Sequence, residues 1–217
     1  MTALKVCCVR SAHEARMAAD AGARFVGLVG AMPSGPGPIS DEAIAAIAAA
    51  VPRDGVTPVL LTARDSASAI AEHVRATGVP AVQIVRTVAS DVRRELRDLV
   101  PGLTILQVVH VEGPSSVYLA EEAAEGSDYL LLDSGRPAAQ VPELGGTGRV
   151  HDWSLSAEIV ARAAVPVLLA GGLGPENVAR AVAVVRPWGV DVCSGLRDGE
   201  GRLVQERLSA FREAVPD

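Results

Sequence analysis

Eight short apolar runs, each followed by an Ala-rich amphipathic stretch, alternate along this chain. The runs are LKVCCV (4–9), FVGLVG (25–30), TPVLLT (57–62), AVQIV (81–85), TILQVVH (104–110), YLLLD (129–133), PVLLAGG (166–172) and GVDVCSG (189–195). Their length and β-branched content predict strands, and stretches such as SDEAIAAIAAAV, DSASAIAEHVRATG and PENVARAVAVV carry the period of helices. Ser40 is an expected N-cap, Pro175 an expected first helical residue, and Gly22 and Gly78 expected left-handed caps. Strands apolar on both faces need cover on both faces, and parallel neighbours need a crossover, so a helix must follow each strand. Eight such units in 217 residues fit a closed (β/α)8 TIM barrel better than an open doubly wound sheet, which typically has fewer strands. One α/β barrel domain over residues 1–217 is the expectation.

A barrel sends the C-terminal ends of all its strands to one mouth, where chemistry sits. Here that gathers Cys7 and Cys8, Gln83, His110, Asp133, Gly171 and Gly172, and the segment from Asp191 to Gly195. Two loops rich in Gly and Pro, residues 32–40 and 133–154, fall on the same side. LAGGLGPENV sets two glycines between a strand and a helix start, and DVCSGL sets Ser194 and Gly195 after the next strand. Gly171 and Gly172 alone suffice to turn a chain. Together with Ser194 and Gly195, after strands seven and eight, they make the backbone N–H cradle that holds phosphate in many barrels.

Asp133 closes an apolar strand. It is either a turn carboxylate or a group whose pKa is raised by apolar walls, as a general acid requires. Asp191 is either a hydrogen-bonded structural carboxylate or a substrate contact. In the first strand Lys5 and Cys7 share one face, and Cys8 goes with Val6 on the other. A lysine pointing into the helix layer lacks a partner, whereas inside a barrel it reaches carboxylates, so the face of Lys5 and Cys7 is the inward one. Cys7 is then either an inert buried thiol or, beside an ammonium, a base; Cys8 is expected as a small hydrophobe beneath a helix. His13 and His73 are expected on helix surfaces, and His151 in a loop.

Charge and composition narrow the class. The net charge of −6 is dispersed, with no basic stripe for nucleic acid and no amphipathic basic helix for a membrane surface. No apolar stretch reaches membrane-spanning length, no secretory leader is evident, and three cysteines make no disulfide framework, so a cytoplasmic protein with reduced thiols is expected. The cysteine spacing offers no metal site.

The segments KVCCV, LLLD, GGTGRVHDWS, LAGGLGPENV and RPWGVDVCSG resemble the phosphoribosylanthranilate isomerase family, whose pattern is approximately KICG, LLLD, GGTGKxFDWS, LxGGLxPENV and RPxGVDVSSG. The match is close and in order over the second half and weaker after the first strand. The resemblance implies an Amadori rearrangement in tryptophan biosynthesis, with Cys7 as general base and Asp133 as general acid. It implies Gly171, Gly172, Ser194 and Gly195 as phosphate ligands, and a loop from Gly145 and Gly146 to Gly148 over the substrate. It implies a small phosphosugar as partner, and neither metal nor cofactor. Lys5, Gln83 and Asp191 are expected to contact substrate.

Departures from the pattern cluster where the aromatic amine should lie. The family arginine in the loop after the second strand is replaced by Gly37, and the family imidazole of the fourth strand by Val85. The glycine after the base is Cys8, and DVSSG becomes DVCSG. Arg86 and His110 are the cations available as substitutes, though each is also compatible with a solvated rim. These departures leave open the same chemistry on another phosphoribosyl amine, and a phosphosugar-binding relative without catalysis.

Overall fold

The computed structural model describes residues 2–33, 35, 37–52, 55–135 and 150–216. Eight parallel strands close into a barrel in the order of the sequence: β1 (Ala3–Val6), β2 (Phe25–Val29), β3 (Thr57–Thr62), β4 (Ala81–Ile84), β5 (Thr104–His110), β6 (Tyr129–Asp133), β7 (Val167–Leu169) and β8 (Gly189–Val192). Between and after them run α1 (Ala12–Asp20), α2 (Asp41–Ala50), α3 (Ala67–Thr77), α4 (Ser90–Leu99), α5 (Ser115–Ala124), α6 (Trp153–Arg162), α7 (Val178–Val185) and α8 (Gln205–Ala214). The barrel closes where β1 pairs with β8, with Lys5 beside Asp191. No described helix is long and apolar enough to cross a membrane.

Strand alternation divides the apolar residues into two cores. One set, including Val6, Val26, Leu60, Val82, Ile105, Leu130, Leu169 and Val190, packs with the helices. The other, including Phe25, Val59, Ala81, Leu106, Leu131 and Leu168, fills the barrel. Each buried Leu or Ile contributes about 1.5–3 kcal/mol by leaving water, so both faces of every strand favour the closed form. Phe25, Tyr129 and Trp188 stack at the N-terminal end, with ring centroids 5.0–6.2 Å apart. These aromatics close the bottom of the barrel and leave the polar inward residues at the opposite end.

The expected helix signals are found where local chemistry required them. Ser40 caps α2 by accepting from the Ala43 amide, and Gly78 ends α3 at φ 65°. Gly22 is left-handed at φ 78°. Pro175 lies one turn earlier than α7 proper, in a turn closed by the Val178 amide donating to the Gly174 carbonyl at 3.0 Å. His73 departs from its expected surface position. It is buried, with Nδ1 2.9 Å from Thr62 Oγ1 and Nε2 3.0 Å from Asp41 Oδ1, and so ties α3 to β3 and to the start of α2.

Candidate active site

The inward rows of the strands carry a polar group at the mouth wherever the apolar filling ends. Lys5 and Cys7 continue the row of β1, Gln83 and Val85 that of β4, His110 that of β5, Asp133 that of β6, and Asp191 that of β8. Lys5 is fully buried and donates from Nζ to Asp191 Oδ1 at 2.9 Å, the carboxylate partner that its inward direction called for. Burial disfavours its charge, but Asp191 and Cys7 outweigh that and hold the ammonium above its ordinary pKa. Burial lifts the Asp191 carboxyl, with Lys5 pulling it back.

Asp133 is 8% exposed. Burial is the main cause that holds its carboxyl above the ordinary carboxylate range; the Ser134 amide, which donates to Oδ1 at 2.8 Å, and the charges of His110 and Lys5 oppose it, and Asp191 adds to it. His110 is its register neighbour on β5. Its Nε2 lies 3.0 Å from the Val85 carbonyl, so Nε2 carries a proton and donates to it. Nδ1 of His110, Oε1 of Gln83 and Nε of Arg86 are buried without a protein partner, and Arg86 as a whole is half-buried rather than solvated. Orphaned polar atoms at the mouth of an apolar barrel point to a polar ligand, because leaving them unpaired costs about 1–3 kcal/mol each.

The side of the mouth expected to hold phosphate is built from two turns pressed together. Gly171 and Gly172 take φ 88° and 62°, a conformation that side chains resist, and so turn the chain sharply out of β7. A Cβ on Gly195 would lie 2.2 Å from the Leu173 carbonyl oxygen and 3.1 Å from Gly174 Cα, so only glycine lets the β8 turn approach the β7 turn. Ser194 is exposed at the start of a 3-10 turn, Ser194–Leu196. Gly145 and Gly146, expected over the substrate, lie outside the described residues.

The expectation for Cys8 is revised. β1 ends at Val6, and Cys8 takes φ 60°, which breaks strand alternation. Cys8 therefore joins Cys7 in the inner cluster instead of lying beneath a helix, and its Sγ is 2.7 Å from Cys193 Sγ. The left-handed backbone fits the glycine of the family pattern at this position.

Three residues of the site escaped the sequence reading. Arg197 is buried and donates from Nη2 to the Cys7 carbonyl at 2.9 Å, while its Nη1 meets both Glu14 carboxylate oxygens at 3.3–3.4 Å. Glu14 also accepts from the amides of Arg10 and Leu203 at 2.9 and 3.1 Å, so one carboxylate ties α1 to the segment before α8. Nothing in the spacing of Glu14 and Arg197 announces that pair. Gly27 did carry a signal, since a glycine inside an apolar strand marks a close approach. A Cβ there would meet Cys7 Sγ at 2.9 Å.

Among the described residues no His, Cys, Asp or Glu cluster is arranged to hold a metal ion. Asp133, Cys7, the Lys5–Asp191 pair and the Gly171–Gly172 turn all lie at the C-terminal ends of the barrel strands.

The family model described as N-(5'-phosphoribosyl)anthranilate (PRA) isomerase matches residues 4–214. The chain is 37% identical over 198 residues to N-(5'-phosphoribosyl)anthranilate isomerase 2 of Methanosarcina mazei, covering 91% of this chain and 87% of that one. It superposes on the crystal structure of phosphoribosyl anthranilate isomerase from Thermotoga maritima with a TM-score of 0.82 at 27% identity, over 99% and 98% of the two chains. A phosphoribosyl anthranilate isomerase in complex with reduced 1-(o-carboxyphenylamino)-1-deoxyribulose 5-phosphate superposes at 0.80 and 25% identity, over the same shares. With a match running from β1 to the end of α8 and the motif glycines and carboxylates at the mouth, this chain belongs to the N-(5'-phosphoribosyl)anthranilate isomerase family.

Proposed function

We propose that this chain rearranges N-(5'-phosphoribosyl)anthranilate to 1-(o-carboxyphenylamino)-1-deoxyribulose 5-phosphate in tryptophan biosynthesis, with Asp133 as general acid and Cys7 as general base. The observation that carries the assignment of roles is the inward placement of both groups at one mouth, with the Asp133 carboxyl held above its ordinary range.

The reaction needs a proton delivered to the furanose ring oxygen, and a carboxyl held above its ordinary pKa by burial serves that step. Ring opening gives a protonated imine. Cys7, as thiolate, removes the C2 proton to give an enolamine, which tautomerises to the ketone. Lys5 keeps a cation beside that thiol and is itself fixed by Asp191. The Gly171–Gly172 and Ser194–Gly195 turns hold the phosphate, whose binding sets the sugar between acid and base. Gln83 Oε1 accepts from a sugar hydroxyl or the amine N–H, and His110 Nδ1 faces the same polar ligand. A phosphosugar metabolite in the cytoplasm is the partner. Loss of phosphoribosylanthranilate fluorescence on adding protein tests the reading. Absence of turnover combined with tight binding of the reduced product analogue would remove it.

The Gly37 segment favours a second reading, in which the chemistry is kept and the amine differs. Position 37 has φ 88°, and its Cβ would stand 2.9 Å from Cys8 Cβ, so the family arginine has no place on this backbone. Arg86 and His110 then meet whatever the amine carries, and ranking phosphoribosyl amines by kcat/KM separates the two readings.

A further inference from the structure

We infer that Cys8 and Cys193 are a redox site, forming a reversible disulfide under peroxide that takes the enzyme out of its active form. The consequence for activity rests on the isomerase reading; the bond itself does not.

The two thiols stand 2.7 Å apart, hydrogen-bonded, at the ends of neighbouring strands β1 and β8. About 0.65 Å separates that from a bonded pair, whose sulfurs lie ~2.05 Å apart. The backbone holds them there on both sides. The Cys7 amide donates to the Val192 carbonyl at 2.9 Å, and Arg197 clasps the Cys7 carbonyl at 2.9 Å. Cys193 is half-buried, whereas Cys8 is buried. The hydrogen bond shared with Cys8 holds the Cys193 thiol below its ordinary pKa against the effect of burial, with help from the Arg197 charge. The hydrogen bonds to Cys193 and Cys7, with burial, push Cys8 up. That is the division of labour of an attacking and a resolving thiol.

The Cys193 thiolate attacks one peroxide oxygen: an S–O bond forms, the O–O bond breaks, and the hydroxide released takes a proton to become water. Cys8 sulfur then attacks the sulfenic sulfur: the S–S bond forms, the S–O bond breaks, and hydroxide leaves with the Cys8 proton as a second water. Two electrons pass from the sulfurs to peroxide, and a dithiol returns them on reduction. The bond links the residue after Cys7 to the residue before the Ser194–Gly195 turn, and so draws the base and the phosphate cradle toward each other.

The test treats reduced protein with hydrogen peroxide, counts thiols after denaturation, maps cross-linked peptides, and measures kcat/KM and affinity for inorganic phosphate before and after dithiothreitol. The expected result is a fall from the three thiols of the sequence to the Cys7 thiol alone, with a Cys8–Cys193 link. A drop in kcat/KM on the order of ten- to a hundredfold should accompany it, the size expected for displacing a catalytic group by about 1 Å, and dithiothreitol should restore it. Cys193→Ser should lack the restorable component. Three thiols remaining, a link through Cys7, an oxidised protein with unchanged kcat/KM and phosphate affinity, or the same restorable loss in Cys193→Ser would each overturn the inference. If the reduced protein turns over no phosphoribosylanthranilate, the proposed function fails, while the thiol count, the peptide map and the phosphate affinity still judge the disulfide.

Discussion

The Cys7 thiol rests directly on the backbone of Gly27: a Cβ built at position 27 would lie 2.9 Å from Cys7 Sγ and 3.3 Å from Cys7 Cα, with Leu61 Cδ1 at 3.1 Å on the other side. Gly27 points into the barrel, so the space it leaves is the space the thiol occupies. Gly27→Ala is expected to displace the proposed base, Cys7, while the barrel stays folded. Overpacking of this kind costs about 1–3 kcal/mol, and a misplaced catalytic group roughly tenfold to a hundredfold in kcat. Thermal unfolding together with steady-state kinetics checks it, and unchanged kcat would show that the thiol needs no such seat.

Removing the proton-transfer groups separates activity from stability. Cys7→Ala and Asp133→Asn should each lower turnover by about 10²–10⁴-fold. Asp133→Asn carries a further signature. The folded-state pKa of Asp133 is raised above its unfolded value by burial, so its contribution to stability is fully present below the unfolded value and is lost as pH rises through the folded one. Asparagine does not titrate. The Tm of the variant relative to the parent should therefore climb as pH rises from the acid side to neutrality. A difference that is flat or falls with pH would contradict a carboxyl whose surroundings raise its pKa.

Position 37 and position 8 are coupled. The family pattern has glycine at 8 and an arginine in the following loop, whereas here Cys8 fills the space beside Gly37. Gly37→Arg alone should destabilise, because a left-handed backbone costs a side chain about 1–2 kcal/mol before the clash with Cys8 is counted. Adding Cys8→Gly should recover part of that loss. A double-mutant cycle measures the coupling, and additive effects would mean that the two positions adapt independently.

Much of this architecture was legible because its causes are local. Apolar runs such as YLLLD and TPVLLT announce strands by themselves, and Ser40 and Gly78 announce helix ends. The inward face of β1 followed from one residue, since Lys5 needs a carboxylate and finds Asp191 across the barrel seam. What stayed hidden depends on partners distant in sequence or on backbone angles. Glu14 and Arg197 meet across 183 positions, and His73 acquires Thr62 and Asp41 only once α3 docks. Alternation sent Cys8 to the wrong face because the strand stops at Val6 and φ 60° follows.

The Lys5–Asp191 pair distinguishes a structural contact from a functional one. Both groups are buried at 2.9 Å, and removing one partner of such a pair leaves an uncompensated charge that costs about 3–5 kcal/mol. Lys5→Met should therefore destabilise strongly, as judged by denaturant unfolding. Replacing both, Lys5→Met with Asp191→Leu, takes away the charge and the need for it together, and apolar pairs of similar volume often match or exceed the stability of the ion pair they replace. The double variant is thus expected to recover most of the fold's stability. Its kcat should nevertheless stay low, because the cation beside Cys7 is gone and the field around Asp133 has changed. If turnover returned along with stability, the pair would be no more than a barrel-closing contact, and the electrostatic part of the proposed mechanism would have to be carried by His110 and Arg197 alone.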